Sequence, residues 1–168
     1  MSETITKNIH TISVLVANKP GVLVRIALVF ARRGYNIDSL VVSPTVNEKF
    51  SRMTITAQGD PVTLEQIIKN VNKLIDVIHC EEHDEDTSIE KELALYKVKA
   101  TPGAKAFVTK EARKFHVKMD DASEGFMIIE QTGTTSQLDE FEALVKKYGV
   151  VEMVRTGKVL ITKGKQET

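Results

Sequence analysis

Apolar and polar residues alternate near the start of the chain and then change to a helical spacing. In Ile9–Val16 every second residue is apolar on one face, which is typical of a half-buried strand. From Val22 onwards apolar residues recur three or four positions apart, and Gly34 follows the last of them. This pattern predicts an amphipathic helix that stops at the glycine.

The same two patterns continue through the rest of the first half. Strands are predicted at Ile37–Ser43, Arg52–Ala57 and Val77–Cys80. Between the last two strands lies a predicted helix, whose apolar residues are Leu64, Ile67, Ile68, Val71, Leu74 and Ile75. The predicted order is therefore βαββαβ. The charged run EEHDED at residues 81–86 contains no apolar residue and favours a solvated linker.

The second half repeats the first in outline. A strand at Leu93–Ala100, a helix around Lys105–Phe115 and strands at Val117–Asp120 and Phe126–Thr132 precede a last helix and strand. Gly59 and Leu64 match Gly133 and Leu138 at one constant offset, which favours a structural duplication. The predicted fold class is α+β, with two ferredoxin-like βαββαβ domains in tandem at residues 1–82 and 83–168.

Domains of about 80 residues bury only around 60–65% of the surface of their unfolded chain, so each is marginally stable alone, and both leave sheet edges open. The architecture therefore favours an oligomer, and we expect a homodimer.

Composition excludes several classes of function. Lys and Arg together number 23, as do Asp and Glu, so the net charge is zero and the usual footprint of a nucleic-acid binder is missing. RNA-binding modules of βαββαβ order expose aromatic residues on their middle strands, whereas the matching strands here contain none. Cys80 is the single cysteine, so intramolecular disulfides and CxxC metal sites are impossible. No signal-like segment or long apolar run is present, which favours the cytoplasm.

The residues also offer little for catalysis. The chain lacks the GxSxG, HExxH, P-loop and GxGxxG patterns. His79 and His83 would share a helix face, but they border the acidic run, so a solvated strand end is favoured over a metal site. We predict no catalytic residue and no metal site.

The turn between the first strand and helix is the strongest candidate for a binding site. Lys19-Pro20-Gly21-Val22 suits a type II turn, because proline presets the first central position and glycine accepts the positive φ of the second. The turn opens a helix, whose leading N–H groups and positive dipole end suit a small carboxylate. Asn18 could bind an ammonium or a carboxylate. The alternative is that the turn only connects strand to helix.

Two longer stretches carry a resemblance to a known family. A strand, then N-x-P-G-V-L, RRGYNI and a return strand resemble the ACT domain, a βαββαβ module that binds amino acids. The stretch SVLVANKPGVLVRIALVFARRGYNIDSLVVSPT, followed by SRMTI, resembles the N-terminal domain of acetolactate synthase small subunits. The resemblance is dense from Ile9 to Ile78 and continues more thinly through ELALYKVKA, GTTSQLDEF and VVEMVRTG.

That resemblance implies a regulatory subunit without catalysis of its own. In the family, valine or a related branched-chain amino acid binds between the ACT domains of a subunit dimer. The positions that would bind it here are Asn18, Gly21, Val22 and Leu23 from one chain, with Asn36 and Ile37 from its partner. The Gly21 and Val22 N–H groups would meet the carboxylate, Asn36 the ammonium and Ile37 the aliphatic group.

The resemblance also implies partners and cofactors. The chain itself would hold none, whereas the large catalytic subunit would use thiamine diphosphate, magnesium and FAD. The second domain would serve dimerisation and contact with that subunit. Val24 departs from the small or polar residue that is frequent in the family, which could alter effector affinity. A stand-alone amino-acid sensor without a synthase partner is the alternative.

Overall fold

The computed structural model describes residues 9–168. By its internal contacts the chain forms two compact units. The first contains the described residues up to Ile89 together with Lys158–Thr168, and the second contains Glu90–Gly157. None of the helices in the described part of the chain is both long and apolar enough to cross a membrane.

The first unit contains a four-stranded antiparallel sheet and two helices. Its elements are β1 (Ile9–Ala17), α1 (Val22–Arg32), β2 (Asn36–Pro44), β3 (Phe50–Gln58), α2 (Pro61–Val71) and β4 (Val77–His83). The strands lie in the order β2-β3-β1-β4, so that β2 and β4 are the edges of this sheet. The predicted βαββαβ order of this half is confirmed. A short strand after the second unit, Val159–Thr162, also belongs to the first unit by its contacts.

The core of the first unit lies between the helices and one face of the sheet. On β1 the alternation predicted from the sequence buries Ile12 and Val14 fully. In register with them, Ile55 and Met53 of β3 face the same side. Each helix contributes residues spaced by three or four positions, namely Val22, Ile26 and Phe30 of α1 and Leu64, Ile67 and Val71 of α2. Burial of such side chains is worth about 1.5–3 kcal/mol each and is the main force that holds the unit together.

The second unit repeats this architecture. Its elements are β5 (Ser88–Lys99), α3 (Pro102–Phe115), β6 (Val117–Ser123), β7 (Phe126–Gly133), α4 (Thr135–Val145), a 3-10 helix (Lys146–Tyr148) and β8 (Val150–Arg155). The order β6-β7-β5-β8 is the order of the first sheet. The α+β class and the tandem βαββαβ arrangement are therefore confirmed.

An aromatic cluster fills the core of the second unit. The ring of Phe141 lies 5.4 Å from the ring of Tyr96 and 5.4 Å from that of Phe115, between centroids. The buried Tyr96 hydroxyl donates to Gln131 Oε1 over 3.1 Å. Burial raises the pKa of Tyr96 to about 12, so this hydroxyl remains a donor at neutral pH.

Two local predictions are wrong. The run at 81–86 is not a linker throughout, because β4 continues to His83. The side chain of His83 is only 3% exposed, and its Nε2 lies 2.6 Å from the Ser13 hydroxyl. The helix of the first half stops at Val71, and Ile75 is fully exposed beyond it. There the side chain of Asn72 instead binds the main chain of Cys80 through both its amide nitrogen and its oxygen, at 2.8 and 2.9 Å.

Candidate effector site

The turn before α1 has the geometry that its sequence predicts. Gly21 has φ 83° and ψ −10°, the values of the third residue of a type II turn, and the Val22 N–H lies 3.5 Å from the Lys19 carbonyl. Gly21 is also the N-cap of α1, and no side chain accepts a hydrogen bond from the first turn of this helix. Apart from this long contact of Val22, the leading N–H groups of α1 have no side-chain cap and therefore keep their capacity to bind an acceptor from outside.

The other three α-helices in residues 9–168 have side-chain caps. Asp60, Thr101 and Thr134 accept hydrogen bonds from the main chain of α2, α3 and α4 respectively. At α4 the cap is a full capping box, since Gln137 binds the main chain of Thr134 in return. The open N-terminus of α1 is thus a departure from the pattern of the molecule.

Asn18 and the first residues of α1 line this open end. The Asn18 side chain is exposed and donates to the Glu48 carbonyl over 3.0 Å, which ties the turn to the loop between β2 and β3. Val22 is buried in the core, whereas Leu23 is 40% exposed. Of the predicted site residues, Asn18, Gly21, Val22 and Leu23 therefore lie together.

Two cations and one carboxylate surround the same turn. Arg25 Nη1 lies 3.5 Å from the position that a Cβ on Gly21 would take, and the guanidinium forms a close ion pair with Asp76. Lys19 Nζ is 3.8 Å from the other oxygen of that carboxylate. The main-chain oxygen of Asp76 accepts from Ala17, which fixes the aspartate beside the turn.

Sequence reasoning missed both members of this ion pair. Arg25 could have been noticed, because it stands four positions after Gly21 and so lies one helical turn above it. Asp76 gives no such signal, since 51 residues separate it from Arg25. The charges of Arg25 and Asp76 balance each other, so the positive charge added to the helix dipole at the α1 N-terminus is that of Lys19.

The other two predicted residues lie at the far end of α1. Asn36 is exposed and donates to Asp38 Oδ1 over 3.2 Å, and Ile37 is partly buried against the core of the first unit. The helix α1 has 11 residues and is about 16 Å long, and the two groups lie at its opposite ends. The sheet separates them further, because Ala17 pairs with Phe50 at one end of β3 and Asn36 pairs with Gln58 at the other. One chain therefore does not bring all six residues into one site.

A cavity of the first unit lies away from these residues. It has a volume of about 550 Å³ and lies between the end of β2 and residues 160–168, with Arg52, Leu160 and Thr162 among its walls. Each of the two groups of predicted residues instead has exposed side chains, Asn18 and Leu23 in one group and Asn36 in the other.

The histidines of β4 do not assemble a metal centre. No group of three or more His, Cys, Asp or Glu side chains in residues 9–168 could hold a metal ion. His79 is half exposed with Nε2 3.3 Å from Glu81, whereas His83 is buried against Ser13. His79 and His83 are four positions apart on β4 and so lie on the same face of the strand, but the first side chain is half exposed and the second is buried.

Comparisons with known proteins agree across both units. Residues 12–79 match the family model described as the AHAS small subunit-like ACT domain, and residues 91–164 match the model described as the small subunit of acetolactate synthase. The probable acetolactate synthase small subunit of Archaeoglobus fulgidus is 44% identical over 158 residues, which cover 94% of this chain and 99% of that protein. The acetolactate synthase small subunit of Mycolicibacterium smegmatis is 42% identical over 92% of this chain and 91% of its own.

A solved structure agrees with this result. The crystal structure of the acetolactate synthase small subunit from Thermotoga maritima superposes with a TM-score of 0.84 at 36% identity. The superposition covers 95% of this chain and 99% of that one.

Proposed function

This chain belongs to the family of acetolactate synthase small subunits, and we propose that it activates the catalytic subunit and makes it sensitive to valine or a related branched-chain amino acid. Members of the family are regulatory, non-catalytic subunits, and catalysis lies with the large subunit. The observation that carries the effector proposal is the open N-terminus of α1 at a glycine with positive φ.

The carboxylate of the effector binds at this open end. The main-chain N–H groups of Gly21 and Val22, with the positive end of the helix dipole, favour an anion. Arg25 and Lys19 share the single carboxylate of Asp76, so a net positive charge remains beside the turn. Because Gly21 has no Cβ, the carboxylate can approach the main chain closely.

A second copy of the chain completes the site. If two α1 helices lie antiparallel about a two-fold axis, the Gly21 end of one meets the Asn36 end of the other, and this happens twice. Asn36 of the second copy then binds the ammonium group of the effector, and its Ile37 contacts the aliphatic side chain. The homodimer would thus hold two equivalent effector sites.

Exposed apolar surface supports this mode of association. On α1, Leu23, Val24 and Leu28 are 40%, 60% and 46% exposed. Next to them in the fold, β2 is an edge strand, with Val42 42% exposed. A second copy would bury these side chains and cover the open strand edge.

The proposal assigns the chemistry to the catalytic partner. That subunit, in the cytoplasm, would hold thiamine diphosphate, magnesium and FAD, whereas this chain holds no cofactor. The effector acts by favouring a less active state of the complex, with a coupling free energy of about 1–3 kcal/mol. The second unit contributes to dimerisation and to contact with the catalytic subunit.

Reconstitution tests the proposal directly. The purified chain is mixed with the catalytic subunit, and acetolactate formation is measured with and without valine, leucine or isoleucine. We expect no synthase activity from the chain alone, a higher activity of the catalytic subunit in its presence, and inhibition by the effector only when both are present. Effector binding without any influence on the synthase would identify a stand-alone sensor instead.

A further inference from the structure

Tyr35 is held at two points, immediately before Asn36 and Ile37. Its side chain is buried, and its ring lies against Gly59, where an added Cβ would be only 2.2 Å from the ring. Its hydroxyl donates to the main-chain carbonyl of Asp60. Tyr35 therefore fixes the start of β2 to the turn between β3 and α2, which we call the Gly59–Asp60 turn.

His10 holds the same turn from the other side. Its Nε2 lies 3.1 Å from the Gly59 carbonyl oxygen and its Nδ1 lies 2.6 Å from Glu82 Oε1. A carbonyl accepts only, and so does an ionised carboxylate, whereas a neutral imidazole has one N–H. The His10–Glu82 pair must therefore hold an extra proton for both hydrogen bonds to exist. When this proton leaves, one of the two bonds is lost, at a residue that is only 8% exposed.

Three other titratable groups belong to this network, and each comes from a different element. Glu82 lies on β4, Asp60 caps α2, and Tyr35 precedes β2. Burial, followed by the charges of Asp60 and Glu82, raises the pKa of Tyr35. The tyrosine therefore remains a neutral donor over the range of about pH 5 to 8 in which histidines change charge.

We propose that Tyr35 and the His10–Glu82 pair are positioning residues for the Asn36–Ile37 half of the effector site, and that effector affinity falls when the pair loses its proton. The inference rests on the proposed function, because it assigns Asn36 and Ile37 to that site. The physical path is short. His10 holds the Gly59–Asp60 turn, the turn holds Tyr35, and Tyr35 sets the position of the next two residues. If the turn is loosened, Asn36 is no longer held in place before the effector binds. Binding must then also order Asn36, and this cost weakens the affinity.

Calorimetric titration of the full-length chain with valine, from about pH 5.5 to 8.5, tests this proposal. We expect the dissociation constant of the wild type to rise by about tenfold across this range, as for loss of one hydrogen bond to a charged group. His10→Gln should have a nearly constant affinity, since glutamine does not titrate. Tyr35→Phe should bind more weakly at every pH but keep the slope of the wild type.

His79→Gln is the matched control. His79 also lies beside a glutamate, with Nε2 3.3 Å from Glu81, but it is exposed and has no link to the Gly59–Asp60 turn. This variant should keep the pH profile of the wild type. Glu82→Gln provides a second test if His10→Gln does not fold, because Glu82 is 41% exposed and its amide keeps the same size.

The outcomes separate this inference from the proposed function. Valine binding with the same affinity at every pH, or a His10→Gln profile equal to that of the wild type, would overturn the positioning role and leave the effector site intact. An equal loss of pH dependence in His79→Gln would also overturn it. If valine, leucine and isoleucine bind at no pH, the effector proposal itself fails, and the inference fails with it.

Discussion

The two units begin their first helix with the same dipeptide, Pro-Gly, but use it in different ways. In the second unit Thr101 is the N-cap of α3 and accepts from the Ala104 N–H over 3.2 Å, with proline in the first helical turn. In the first unit the N-cap of α1 is Gly21, one residue after the proline, and it has no side chain to cap the helix. A shift of the dipeptide by two positions relative to the N-cap thus decides whether the helix end is closed or open.

The difference shows how one fold can cap the corresponding helix in one unit and leave it uncapped in the other. A threonine cap is worth about 1 kcal/mol relative to alanine, and α1 lacks it. The first unit therefore gives up local stability at the place where free N–H groups are useful. The second unit satisfies its own N–H groups and has no equivalent anion site at α3.

The largest expected effect comes from closing the open end. Gly21→Asp puts a carboxylate where the effector carboxylate would bind, and aspartate is itself a good cap for the free N–H groups. We expect the inhibition constant for valine to rise by about 30-fold to 100-fold, which corresponds to the loss of one or two charged hydrogen bonds. Activation of the catalytic subunit should persist. Steady-state inhibition of the reconstituted complex measures both.

Gly125→Asp is the control for backbone strain. Gly125 has φ 81°, close to the 83° of Gly21, and a Cβ there would meet nothing within 4 Å. The two variants therefore carry a similar conformational penalty, but only one blocks the open helix end. Full valine sensitivity in Gly21→Asp, or an equal loss in Gly125→Asp, would show that the effector site is wrongly assigned.

A second pair of glycines tests whether an added methyl group destabilises the two units equally. Gly59 and Gly133 are matching positions, but an added Cβ at Gly59 would overlap the buried ring of Tyr35, whereas at Gly133 it would meet the side-chain oxygen of Gln137 at 2.6 Å. Gly59→Ala should lower the free energy of unfolding by about 2 kcal/mol, as for overpacking of a core. Gly133→Ala should lower it by less than about 1 kcal/mol. Urea unfolding measures both values, and equal losses would contradict the comparison.

Removal of the closed cap gives a smaller effect. Thr101→Ala should destabilise the second unit by about 1 kcal/mol, while Thr101→Gly should cost only a few tenths. Valine inhibition should stay as in the wild type, because α3 takes no part in the effector site. Chemical unfolding combined with an inhibition assay checks this, and a loss of valine sensitivity would argue against separate roles for the two helix ends.

The smallest expected effect concerns the charges at the open turn. Asp76→Asn removes the partner of Arg25 and Lys19, whose side chains are 47% and 68% exposed, so we expect a loss of about 0.5 kcal/mol in unfolding free energy. The difference should vanish near 1 M salt, because surface pairs are screened. The Thr101→Ala difference should not depend on salt. Parallel unfolding curves at low and high salt measure the contrast, and a salt-independent Asp76→Asn loss would contradict it.

Local patterns in the sequence predict most of the fold. Alternation on β1 and the three-or-four spacing on α1 reflect single faces turned towards a core, so both elements are recognised within a few residues of their true bounds. The pattern fails where tertiary contacts override composition. His83 looks like part of a solvated charge run, yet it is buried because it hydrogen-bonds Ser13, which lies 70 residues away.

The candidate site is predictable to a similar extent. The positive φ of Gly21 follows from Pro-Gly, and the assignment of Asn36 and Ile37 follows from resemblance to the family. The network that supports Asn36 is not predictable, because it joins His10 to Glu82 over 72 residues and Tyr35 to Asp60 over 25. Periodicity records which face a residue occupies, but it does not record which distant residue lies opposite.

The return of residues 158–168 to the first unit has a consequence for folding. Lys158 Nζ donates to Thr11 Oγ1 over 3.3 Å, and 147 residues separate the two in sequence. Such contacts form only after a long loop has closed, which raises the contact order and slows folding. On the ribosome, the first unit acquires its last segment only after the whole second unit has been synthesised. A substitution within residues 158–168 therefore changes the stability of the first unit, although these residues follow the second unit along the chain.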